Sequence, residues 1–160
     1  MGDIHVDYLA RHLESADKLA PYFYQEWREI YDARGQDYQA VAESFRSRAN
    51  IDSLPLALVA LHQNDVVGTA SLKARDLEVR PELTPWLAGV FVLPDWRGKG
   101  IATQLIKRAM DEAKRLRLRD LYLWTPSAES LYRRLGWREV ERLHYCNTDI
   151  VVMKLSMSAG

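Results

Sequence analysis

The 160-residue chain has a single cysteine, Cys146, which excludes an intramolecular disulfide and a multi-cysteine zinc cluster. A reduced, cytoplasmic setting is the default expectation. No sign of charge predominates: Lys plus Arg and Asp plus Glu each number 22, so bulk electrostatics offer nothing to a nucleic acid or an anionic membrane. Apolar runs such as Pro55 to Leu61 are far too short to cross a bilayer. The first residues carry acids where a secretory signal wants bases and a long apolar core. Val6 stands where a myristoylation motif built on Gly2 needs Ser or Thr. His5, His12, His62 and His144 lack metal-ligand spacing and have no carboxylate cluster beside them, so no metal is expected. Repeats, low-complexity tracts and Ser/Gly/Pro-rich linkers are also missing, which makes residues 1–160 one expected domain.

What the chain does have is 48% apolar and 28% charged residues, the balance of a domain that buries a core. His5 to Leu9 reads as a short strand. A helical pattern runs from Ser15 to Tyr31, with Leu19, Phe23, Trp27 and Ile30 on one side and Pro21 expected to kink it or to start its second half. Asp37 is placed to cap a second helix reaching Arg48, with Tyr38, Val41, Ala42 and Phe45 inward. Leu56 to Leu61 and Val66 to Leu72 predict a hairpin. Trp86 to Leu93, bounded by prolines, predicts a central strand buried on both faces. Helices over Ile101 to Leu116 and from Ala128 to Leu135 flank a strand at Leu121 to Trp124. Val140 to Tyr145 and Ile150 to Leu155 close the chain as a strand pair able to supply the edge of a homodimer. This order is α/β, with at least one neighbouring strand pair parallel.

Chemistry concentrates in Val90-Phe91-Val92-Leu93-Pro94-Asp95-Trp96-Arg97-Gly98-Lys99-Gly100-Ile101-Ala102-Thr103: a buried strand, a glycine turn and a helix start. Amides at a helix start are unpaired and sit at the positive end of the dipole, so a turn without bulky side chains lets a phosphate rest on them. Arg97 and Lys99 add local positive charge. The nucleotide P-loop string Gly-x-x-x-x-Gly-Lys-Ser/Thr is absent. A dinucleotide fingerprint is only weakly matched, because Thr103 replaces its third glycine and Asp120 precedes the next strand instead of ending it, so a dinucleotide-dependent oxidoreductase stays an outside option.

Arg97-x-x-Gly100-x-Ala102 after a buried strand resembles the acetyl-CoA pyrophosphate signature of the GNAT (GCN5-related N-acetyltransferase) superfamily. Leu131-Tyr132-Arg133-Arg134-Leu135-Gly136-Trp137 resembles that family's Leu-Tyr-x-x-x-Gly-Phe segment, in the expected order. The resemblance covers residues 54 to 155. It implies a single-domain GNAT-like fold of the α/β (α+β) class: a mixed, mostly antiparallel sheet whose central parallel strand pair splays apart, flanked by helices. Acetyl-CoA is then the implied cofactor. Its pantetheine arm pairs with the backbone of Val90, Phe91 and Val92, and its pyrophosphate rests on amides from Gly98 through Lys99, Gly100, Ile101 and Ala102 to Thr103. Many relatives carry Asn seven residues before the tyrosine to hold the arm, where this chain has Thr125, keeping a hydroxyl and losing the amide.

The implied activity is direct acetyl transfer to a primary amine of a small molecule, peptide or protein. The resemblance assigns Tyr132 as the proton donor to the departing thiolate, and an ordinary tyrosine pKa of about 10 suits a neutral donor. The base is open among Glu82, Asp120, Glu26 and His62, with Glu82, just before the central strand, favoured. The alternative is a noncatalytic CoA-binding module. Aromatic residues crowding the first helix, from Tyr22 to Tyr31, are too many for one inward face, and the surplus can line an acceptor cleft. The basic stretch Lys107 to Arg119 is interleaved with acids and reads as a solvated helix face.

Overall fold

A computed structural model describes residues 3–157, so Gly2 lies outside the described residues. The strands are β1 His5–Tyr8, β2 Leu56–His62, β3 Asp65–Lys73, β4 Trp86–Val92, β5 Asp120–Thr125, β6 Arg138–Tyr145 and β7 Thr148–Ser156. The helices are α1 Glu14–Glu26, α2 Arg28–Ala33, α3 Tyr38–Arg46, α4 Ile101–Arg115 and α5 Glu129–Arg134. All seven strands form one sheet in the order β1-β2-β3-β4-β5-β7-β6. Every neighbouring pair is antiparallel except β4 and β5. The hairpin turns fall where the polar breaks stand, with positive φ at Gln63 and Asn64 and at Cys146 and Asn147. No described helix is long and apolar enough to cross a membrane.

The strand runs are buried because helices cover both faces. α4 presses Ile101, Leu105, Ile106, Ala109 and Ala113 into a core with Leu56, Leu58, Leu72 and Leu121. On the other face Leu19 and Phe23 of α1 pack with Val41 and Phe45 of α3 against Val59 and Phe91. Asp37 caps α3 as its position predicts, accepting from the Ala40 N–H at 2.9 Å.

Three local expectations are corrected. The helical break falls at Trp27, where φ is −116°, while α1 continues without interruption across Pro21. Pro21 and Asp17 lie on the exposed side of α1, whereas the Trp27 ring packs 4.9 Å from Phe23 and its backbone leaves the helical path. Tyr38 is exposed, because α3 turns only Val41, Ala42 and Phe45 inward. The basic stretch is also more than a solvated face. Arg108 and Arg115 both bind Glu112, which accepts the Tyr8 hydroxyl proton at 2.9 Å, and Arg108 donates to the Val6 carbonyl, so the cluster ties α4 to β1.

Two features of the sheet create a site. β4 and β5 are in register only at Trp86 and Tyr122, with the Tyr122 N–H on the Pro85 carbonyl at 3.0 Å, and beyond that point they part. β4 also carries a bulge. Thr69 pairs with Phe91 and Ser71 with Ala88, so Gly89 and Val90 together oppose Ala70. Gly89 takes φ +61°, and an added Cβ would stand 2.9 Å from Phe23 Cζ and 3.1 Å from Arg48 Nη1. Gly89→Ala is therefore expected to destabilise the fold by about 2–4 kcal/mol through backbone strain plus overpacking. A drop in melting temperature of about 5–10 °C by calorimetry checks this, and an unchanged value contradicts it.

Candidate active site

The turn after β4 leaves amides open. Gly98 and Gly100 have φ +76° and +80°, and a Cβ at either would meet nothing within 4 Å. Gly100 caps α4 without a side-chain hydrogen bond, and the first bond into the helix runs from the Gln104 N–H to the Gly100 carbonyl. The N–H groups of Ile101, Ala102 and Thr103 are thus the orphan donors of a 15-residue helix. A cleft of about 460 Å³ stands over them, lined by Val90, Phe91, Val92, Arg97, Gly98, Gly100, Ile101, Ala102 and Thr103. Lys99 is not among its walls. Its side chain is exposed, which leaves its charge in solvent beside the cradle.

Arg97 folds back instead of reaching outward. Its Nε donates to the Val92 carbonyl at 2.9 Å, its guanidinium lies 5.3 Å from the Phe91 ring centre, and Nη2 stands 3.9 Å from Glu26. The Leu93 N–H bonds the Val67 carbonyl of β3 at 2.8 Å, so by strand alternation the polar groups of Val92 face the gap toward β5. The Val92 N–H is open to an extended amide-bearing ligand, while its carbonyl already accepts from Arg97.

A second cleft of about 330 Å³ continues from the first, sharing Glu26, Val90, Ala102, Ser127 and Ala128 as walls. Tyr132 lines it, 7% exposed, its ring 5.9 Å from Trp137. No hydrogen bond from its hydroxyl to another described residue is present, and burial pushes its pKa up to about 12. Other walls are aromatic: Phe23 from α1, Trp27 at the helical break, Tyr31 from α2 and Trp124 from β5. Tyr22 and Tyr24 stay outside.

Position separates the remaining candidates. Glu82 is exposed in the loop before β4 and lines neither cleft, because the bulge lies in the middle of the strand and the glycine turn follows its far end. Of the weighed acids Glu26 alone borders both clefts, while Asp120 lies 3.8 Å from Lys154 at the start of β5 and His62 packs 4.8 Å from Trp96. Thr125 does line the second cleft, but its Oγ1 accepts from the Ser127 and Ala128 N–H groups at 3.3 and 3.0 Å. It shapes the start of α5, leaving only its own proton for a ligand.

The sequence reading missed several cleft residues. Gly89 had a signal, an isolated glycine in an apolar strand. Arg34, Arg48, Lys73 and Asp76 had none, since only the fold brings them together. Asp76 accepts the Trp124 indole proton at 2.8 Å and stands 3.6 Å from Lys73, whose pKa is lowered by burial and then by the neighbouring Arg48.

The family model described as "Acetyltransferase (GNAT) family" matches residues 17–137. The chain is 26% identical over 131 residues to N-alpha-acetyltransferase 30 of Schizosaccharomyces pombe, covering 79% of this chain and 87% of that protein. Among solved structures, an N-acetyltransferase from Staphylococcus aureus Mu50 superimposes with a TM-score of 0.74 at 18% identity, over 98% of this chain and 100% of that one. The Salmonella typhimurium protein yncA, solved with its cofactor acetyl-CoA, does so with a TM-score of 0.72 at 20% identity, over 99% and 96%. Because the family match takes in the open-amide turn, the splay and the tyrosine helix alike, the chain belongs to the GNAT family of acetyl-CoA-dependent N-acetyltransferases.

Proposed function

We propose that this protein moves an acetyl group directly to a primary amine, with Tyr132 as the proton donor, the β4 bulge as the carbonyl-polarising element and Glu26 as the carboxylate that meets the incoming amine. The observation that carries the reading is Tyr132, a buried residue whose hydroxyl has no described protein partner and which lines the cleft beside the β4–β5 splay. Acetyl-CoA, when bound, supplies the acetyl group as a thioester that an amine can cleave to an amide and a free thiol.

The residues fit that donor. Open amides from Gly98 to Thr103 suit a diphosphate, and the Val92 N–H, turned away from β3, suits an amide of an extended arm, whereas the polar groups of Phe91 turn to Thr69 in the β3–β4 ladder. The half-buried bulge at Gly89 and Val90 brings main-chain N–H groups to the cleft wall, where they need no side chain to polarise a carbonyl. Tyr132 holds its proton at Oη through the whole neutral range and presents it beside the splay. Glu26, with 46% of its side chain exposed where the clefts join, can attract an ammonium and pass its proton to water. The name of the Schizosaccharomyces pombe relative makes an N-terminal α-amine an acceptor to try first.

The test is an amine panel with acetyl-CoA, reading free thiol and acetylated product. Product formation supports the reading; binding of CoA with no acetylation of any amine supports a noncatalytic module instead. The pH profile adds a sign. Because the folded tyrosine pKa lies above the ordinary 10.0, kcat at saturating amine is expected to hold through pH 10. A loss of kcat centred between pH 8 and 10 in a stopped assay, with the protein still folded, contradicts Tyr132 as that donor.

A further inference from the structure

We propose that the acceptor carries a carboxylate as well as its amine, and that Arg48, assisted by Lys73, holds that carboxylate in the floor of the second cleft. The inference rests on the acetyl-transfer reading and narrows its acceptor. Arg48 follows α3 and is anchored by its main chain, accepting from the Ala57 N–H at 2.9 Å. Its side chain, 5% exposed, runs beneath the helical layer into the cleft wall. The Phe23 and Phe45 rings hold the guanidinium, with centroids 5.6 and 5.5 Å away.

This cation has no direct carboxylate partner among the described residues, and Asp76, which attracts it from beyond salt-bridge distance, is already held by Lys73 and Trp124. Nη1 donates to the Ser71 hydroxyl at 3.1 Å, while Nε is buried with no hydrogen-bond partner. Among the described residues no carboxylate comes within salt-bridge distance of it. The other charges of the cleft are already matched. Arg34 binds Glu78 at 2.9 Å together with the Tyr145 hydroxyl and the Asp76 carbonyl. Lys73 faces Asp76, whose other oxygen takes the Trp124 proton. Glu26 faces Arg97. One positive charge is left over, in the most buried position. A lone buried charge is a standing cost that a fold offsets when a ligand's opposite charge completes the pair.

Placement sets what the ligand looks like. Ser71 and Lys73 are two residues apart on β3 and share a face, so Arg48 and Lys73 stand side by side. Nη1 lies 3.1 Å from where a Gly89 Cβ would be, directly against the bulge. A carboxylate bound here sits a few bonds from the reacting amine, as in a short amino carboxylate. Two sources share that chemistry, the α-carboxylate of a free amino acid and the side-chain carboxylate of an N-terminal Asp or Glu in a peptide.

The experiment compares matched acceptors in both arms: L-alanine with L-alaninamide, and Asp-Ala-Ala-amide with Asn-Ala-Ala-amide. kcat/KM is read by thiol release, and affinity of the corresponding N-acetyl products for the protein–CoA complex by calorimetry. In at least one arm the carboxylate member is expected to lead by tenfold or more in both readouts, and that arm names the source. Arg48→Gln is expected to shrink the lead to within about twofold, and Arg48→Lys to restore part of it, with circular dichroism and CoA affinity reporting that the variants are folded. If Arg48→Gln fails to fold, Lys73→Met must shrink the same lead severalfold. Equal values for both members in both arms overturn the proposal, as does an Arg48 variant that lowers both members by the same factor. If no amine is acetylated the transfer reading fails, and the product-affinity arm still decides the role of Arg48.

Discussion

Tyr132→Phe is expected to lower kcat by about 100- to 1,000-fold, the usual worth of a positioned acid, and to leave CoA affinity within about twofold. The substitution removes one oxygen and keeps the ring that packs 5.9 Å from Trp137. Since no described residue accepts from or donates to that hydroxyl, the variant should melt at the wild-type temperature or slightly above it. A merely structural tyrosine would show the reverse pattern, with stability lost and kcat nearly unchanged. Steady-state kinetics beside a thermal melt therefore separates the two roles, and an unaltered kcat removes Tyr132 from the chemistry.

The second large effect is expected at the turn. Gly100→Val places a branched side chain at φ +80°, in the space where the diphosphate would rest, with no protein atom within 4 Å of its Cβ. Folding then loses only the backbone strain, about 1–2 kcal/mol. The ligand loses more. Displacing a diphosphate from two charge-assisted amide contacts costs about 3–5 kcal/mol, so CoA affinity should fall by a factor of about 100 or more. The melting temperature of the wild type should rise with CoA while that of the variant should not. A variant that binds CoA normally would mean that the diphosphate sits elsewhere.

These two positions were legible in the sequence because their signals are local. A glycine turn between an apolar strand and an amphipathic helix is written in consecutive residues, as is the tyrosine three residues ahead of the Leu135-Gly136 stop. The same holds for both hairpins and for the Asp37 cap. Signals that need tertiary contacts were read less well. Pro21 marks a weak helical position, yet the break moved to Trp27, whose ring packs against Phe23 and Phe91. Thr125 offered a hydroxyl, but its own neighbours claim the oxygen. Glu82 is close to β4 in sequence and distant from the bulge in space. Arg48 is one arginine among many until α3 and β3 close around it, which is why its unmatched charge could be seen only in the folded chain.

The account stands on coenzyme entering between β4 and β5 with its sulfur beside Tyr132, and a crystal structure of the CoA complex measures that directly. The expected result is a diphosphate on the amides of Gly98 to Thr103 and a sulfur within about 3.0–3.6 Å of the Tyr132 oxygen, the reach of a hydrogen bond to sulfur. A coenzyme seated outside the splay, or a sulfur more than about twice that distance from the phenol, would contradict it.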